Sequence, residues 1–189
     1  MRRLAALLGA LLVCAACSEP PQKEIDRAQG AIDAARAAGA DRYATSELAS
    51  ATSALKEAHD AVEQRDYRLA LTKALDASER GQQAARQAAD GKARARGEVE
   101  RTITTVTASL QQLQAVLKAE GARMPATLLA SAKRETTTSQ AALQKARTLL
   151  EAEQYLDARD ALVGVDERIN AQTAAVTEAG KSRPARRRS

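Results

Sequence analysis

Apolar residues spaced alternately three and four apart recur along almost all of this chain. Between 126 and 153 the series is Leu129, Ala132, Thr136, Ser139, Leu143, Ala146 and Leu150. A later one runs Ala158, Leu162, Val165, Ile169, Gln172 and Val176, and an earlier one Val99, Ile103, Val106, Leu110, Leu113 and Leu117. Such spacing places one side chain per turn on a single helix face. Three consecutive seams with short connections predict antiparallel neighbours packed as a coiled coil. The expected fold is therefore all-α, built of extended antiparallel helical hairpins.

The side chains available for a core sharpen that expectation. The chain has no Phe or Trp, and only three Tyr and one His. Leu, Val, Ile and Ala must then form the interior, which suits thin helical bundles and suits an enzyme cleft poorly. Helices are expected over 23–38, from a cap at Thr45 or Ser46 to the turn at Arg65-Asp66-Tyr67, over 68–120, over 126–153, and, after a tight turn marked by Tyr155, along the seam Ala158 to Val176. The first half of the 68–120 stretch carries small residues: Ala70, Ala74, Ala77, Gly81, Ala84 and Ala88. If unbroken at Gly91 and Gly97, about 50 residues would make a rod of roughly 75–80 Å.

An internal repeat runs through this pattern. Gln64-Arg65-Asp66-Tyr67-Arg68-Leu69-Ala70 aligns with Ala152-Glu153-Gln154-Tyr155-Leu156-Asp157-Ala158 at an offset of 88, and Leu48-Ala49-Ser50-Ala51 with Leu129-Ala130-Ser131-Ala132 at 81. The difference is one heptad, an insertion that keeps a seam in phase. Two degenerate hairpin repeats are expected.

The N-terminus reads as an export signal. Arg2 and Arg3 precede an apolar run from Leu4 to Val13, and Ala15-Ala16 stand before Cys17. Ten residues span about 15 Å, half of a bilayer's hydrocarbon core, so the run is too short to cross a membrane. Cys14-Ala15-Ala16-Cys17 has the spacing of a redox pair. Its position at the end of the apolar run favours a different reading. Val13 to Cys17 resembles the lipobox of bacterial lipoproteins, in which the cysteine becomes the lipidated first residue. That resemblance implies removal of the signal peptide 1–16 and membrane attachment through lipid (palmitate among the acyl chains) on Cys17. Cys14 departs from the Leu usual at its position. Ser18 follows the cysteine rather than the Asp that retains such proteins at the inner membrane of enteric bacteria, so the expected location is the outer membrane, facing the periplasm.

Expected organisation is then a signal peptide at 1–16, a lipidated tether at 17–22, a first helical-hairpin region at 23–92, a second at 93–180, and a basic tail at 181–189. Seven of the 29 Lys and Arg lie outside 17–180, which leaves 22 against 24 Asp and Glu. The body is near neutral, and the basic character sits at the ends.

A further resemblance rests on Ala38-Gly39-Ala40, Tyr43-Ala44, Leu48, Ala51, Leu55 and Ala58, then Asp66-Tyr67 and Ala70. This stretch resembles the alanine-rich bacterial lipoprotein family catalogued as domain of unknown function 4398. Membership implies a lipid-anchored helical protein. Some relatives in that family carry a peptidoglycan-binding domain of the outer-membrane-protein-A type; the sequence here contains none. The Asp-Tyr-x-x-Ala turn is also similar to the second helix of tetratricopeptide repeats, without the rest of that consensus.

Chemistry-bearing constellations are few. His59 has no second His or mature Cys to complete a metal site, and reads as a surface histidine. No nucleophile, base and orienting acid stand together, and the carboxylate pairs Glu98/Glu100 and Asp157/Asp160 read as solvated helix faces. Neither an enzyme nor a cofactor is expected. Tyr67 and Tyr155 sit at matching turns, where each ring caps a hairpin end. Two basic groups remain as anion contacts: the segment Arg86, Lys92, Arg94, Arg96 and Arg101, and the tail Lys181, Arg183, Arg186, Arg187 and Arg188. Nucleic acid would call for stacking aromatics or a motif, and both are missing. The expected partners are the membrane, through Cys17, and envelope proteins. The leading functional expectation is a periplasmic spacer or protein-interaction scaffold; the alternative is a module that holds an anionic cell-wall polymer or lipopolysaccharide through the tail.

Overall fold

The computed structural model describes residues 19–181, and these are helical wherever they are regular. In chain order the elements are α1 (Gln22–Ala37), α2 (Ala40–Tyr43), α3 (Thr45–Glu63), α4 (Tyr67–Glu120), a 3₁₀ turn (Gly121–Arg123), α5 (Ala126–Glu151), α6 (Tyr155–Asp160) and α7 (Val165–Lys181). The all-α fold is as expected, and no strand occurs among the described residues. Residues 1–18, which include the expected signal peptide and Cys17, and all of the tail beyond Lys181 lie outside them.

Two compact units divide the chain between Gly91 and Lys92. In the first, α1 packs on α3, and α2 on both. The first part of α4 completes it through Ala74, Ala77, Ala84 and Ala88, which share a core with Ile25, Ala28, Ile32, Ala35, Leu48, Ala51 and Leu55. Small side chains let the backbones approach. A Cβ added at Gly81 would lie 3.0 Å from both the carbonyl carbon and the Cβ of Ala31, so any side chain here requires the Ala31 backbone to shift. In the second unit, α5 packs on α6 and α7. Val106, Leu110 and Leu113 of α4 join Leu143, Ala146, Leu162, Val165, Ile169 and Val176 in its core.

The helices differ from the expected boundaries in three places. α1 stops at Ala37 because Gly39 takes a left-handed backbone (φ 90), and a short helix, α2, follows where a loop was expected. Neither Thr45 nor Ser46 caps α3; its N-cap is Ala44, and no side chain bonds there. The last helix, expected to carry Ala158 to Val176 as one element, is interrupted at Ala161–Gly164, where Gly164 has φ 69. α4, by contrast, is unbroken through Gly91 and Gly97. Gly91 answers to a close approach, since a Cβ there would stand 3.1 Å from the Cβ of Tyr43.

Candidate functional site

The turns that join α3 to α4 and α5 to α6 are the points where chemistry-bearing side chains gather. Each is a Schellman closure of the preceding helix. In the first, Asp66 N–H donates to the Ala61 carbonyl and Arg65 N–H to that of Val62; in the second, Gln154 N–H donates to Leu149 and Glu153 N–H to Leu150. The left-handed position is held by Arg65 (φ 61) in one and Glu153 (φ 57) in the other, where glycine is the usual occupant. Residues 88 apart thus adopt the same backbone, and Tyr67 and Tyr155 each open the following helix.

Side chains around the two turns differ. At the first, Asp66 accepts a hydrogen bond from Leu69 N–H (3.0 Å) and so caps α4. Tyr67 is half-buried. At the second, Tyr155 is only 6% exposed, and Lys92 Nζ stands 5.9 Å from its ring centroid. The same ammonium donates to Glu153 Oε2 at 2.6 Å. That bond, and then the positive charge itself, hold the Glu153 carboxyl below the usual carboxylate range. Tyr155 is thus a buried ring at the start of α6 with the Lys92 cation near its face.

The basic segment proves to be partly spent on carboxylates. Lys92 is engaged with Glu153, and Arg96 Nε donates to Glu100 Oε1 at 2.8 Å. The guanidinium of Arg96 is raised by that contact. Arg86, Arg94 and Arg101 lie exposed on α4. From the tail only Lys181 is described; it ends α7, largely exposed, with Nζ 2.9 Å from Glu178 Oε1. Arg183, Arg186, Arg187 and Arg188 lie outside the described residues, as does Cys17.

His59 is exposed, and among the described residues no three His, Cys, Asp or Glu are grouped to hold a metal ion. Glu98 and Glu100 face solvent, and Asp160 pairs with Arg159 at 3.3 Å. No described helix is long and apolar enough to cross a membrane.

Two features were not singled out from the sequence. Leu69, Leu71 and Leu75 remain substantially exposed on α4. Between α5 and α7, Arg168 Nε donates to Glu135 Oε1 (3.3 Å), which also accepts from the buried Ser139 Oγ (3.0 Å). One turn away, Ser131 Oγ lies 3.4 Å from Gln172 Oε1. The polar members of the seams, Ser139 and Gln172, were the available signal.

By architecture the chain is an all-helical protein of two small units joined by a shared helix. Residues 23–99 match the family described as Domain of unknown function (DUF4398), as the alanine and Asp-Tyr pattern led us to expect. The match covers α1 to α3 and runs into α4 past the division between the units. No curated protein and no solved structure matches the chain.

Proposed function

We propose that this chain is a non-enzymatic, lipid-anchored helical protein of the cell envelope. It is held on the outer membrane through Cys17, faces the periplasm, and serves as a spacer or protein-interaction scaffold. The observation that carries the anchor is the Leu4–Val13 apolar run leading to Ala15-Ala16-Cys17. Two or more acyl chains on one cysteine suffice for stable attachment without a spanning helix. The scaffold reading draws support from α4, a single 54-residue helix that contributes to both units. Recurrence of the Schellman turn at an offset of 88 supports reading the chain as two copies of one helical unit.

The test is metabolic labelling with palmitate followed by detergent-phase partitioning and membrane fractionation. Wild type should carry label and follow the outer membrane, whereas Cys17→Ser should lose the label and keep its signal peptide. Unlabelled wild-type protein in the aqueous phase would refute the anchor. Crosslinking in intact cells that captures no envelope protein would refute the scaffold.

A further inference from the structure

The seam of the last helix gives no hint of a break: Tyr155, Ala158, Leu162, Val165, Ile169, Gln172 and Val176 keep strict 3-4 spacing across it. The backbone nevertheless leaves the α-helix after Asp160. Leu162 N–H donates to the Arg159 carbonyl and Val165 N–H to that of Leu162, both three residues back, and Gly164 is left-handed. An uninterrupted helix would inherit its position along α5 from the turn at 152–154. Because α7 starts afresh at Val165, that inheritance passes through a four-residue turn instead of an α-helical ladder, which leaves a part for other contacts in setting its register.

The apolar contacts do not suffice. A strict heptad seam matches itself again after a slip of seven residues, about 10 Å along the axis. Polar contacts do discriminate. Ser131–Gln172 and Glu135–Arg168 pair residues whose numbers add to the same value, as a single antiparallel register requires. After a heptad slip Arg168 would face Ala142 or Leu128, and so lose its carboxylate in either direction. Gln172 would face Met124 in one slip; in the other it would meet Thr138, whose hydroxyl could replace that of Ser131. Glu135–Arg168 is therefore the contact that discriminates against both. A third contact ties α7 to α4: Ser109 Oγ donates to Asp166 Oδ1 at 2.6 Å, while Asn170 Nδ2 holds the other oxygen at 2.9 Å. Gln172 Nε2 is buried without a partner. A polar side chain kept in an apolar seam at such a cost is the known device for specifying register in coiled coils.

We propose that the break at Gly164 frees α7 from the α5–α6 turn, and that the Ser131–Gln172, Glu135–Arg168–Ser139 and Ser109–Asp166 contacts lock it in one register. The lock selects a conformation; it does not add stability.

Pulsed electron-spin distances test this in the full-length chain with Cys14 and Cys17 changed to serine. Labels at Lys145→Cys and Ala174→Cys, both exposed, are staggered by about 24 Å along the helix axes in the observed register. This chain should give one narrow distance. Replacing Glu135, Arg168 and Gln172 with Leu should add a population displaced by about 10 Å, with helicity retained. A single unchanged distance overturns the proposal. Should that variant lose its helical signal, Glu135→Arg alone must scatter the distance and added Arg168→Glu must restore it. No scattering in the single variant, or no restoration in the pair, also overturns it.

Discussion

The first unit is built on alanine and the second on larger aliphatics. Eleven of the fifteen buried residues in the first core are alanine, against two of eleven in the second. Similar 3-4 patterns therefore lead to different sources of stability. Where side chains are small, backbones come close, and the interface depends on nothing being added. Where they are large, it depends on nothing being removed. The polar contacts proposed to fix register lie in the second unit.

Four substitutions would break or sharpen this contrast. The largest effect is expected from Leu113→Ala, because Leu113 is fully buried among the larger side chains. It should cost about 2–5 kcal/mol in chemical denaturation, and a loss below about 1 would mean the second core collapses as readily as a surface. Gly81→Leu comes next, since even a Cβ meets the Ala31 backbone at 3.0 Å. Overpacking should cost about 1–3 kcal/mol. An unchanged melting temperature would dismiss close approach as the basis of the first unit.

Arg65→Gly should raise stability by about 1 kcal/mol by relieving a left-handed side chain. Glu153→Gly should gain less, because it also loses the contact with Lys92. Equal gains measured by thermal melts would show that this contact contributes nothing. The smallest effect concerns pH. Glu153 has its folded pKa lowered by Lys92, so its contribution is present above the unfolded value of about 4.3 and lost as pH falls through the folded value. Lys92→Ala should therefore lower the melting temperature slightly at pH 7 and not at pH 2. An equal change at both would assign the effect to the Tyr155 ring contact instead.

Much of this was legible in the residues. Seams at Val99–Leu113 and Leu129–Leu150 identified long helices because 3.6 residues per turn leaves few other ways to bury them. Asp66-Tyr67 and Gln154-Tyr155 located the turns. The interruption at Gly164 was not legible, because a left-handed residue bends the chain without removing a seam position. The helix α2 was also missed: four residues held by Gly39 and the contact of Tyr43 with Gly91 carry no periodicity of their own. Of the candidate site, the basic segment was visible but the pairing of Lys92 was not, since its partner Glu153 lies 61 residues away.

The continuity of α4 has a consequence for how this protein would be taken apart. Domains are usually separated at an exposed linker, which proteases find and truncation exploits. Here the division between Gly91 and Lys92 falls inside hydrogen-bonded helix. A protease should nick first around 121–125 or 152–154 and spare the boundary itself. Truncation at that boundary would leave each half with a raw helix end, four amides or four carbonyls newly without partners. The two units are separable in their cores but share one continuous backbone ladder.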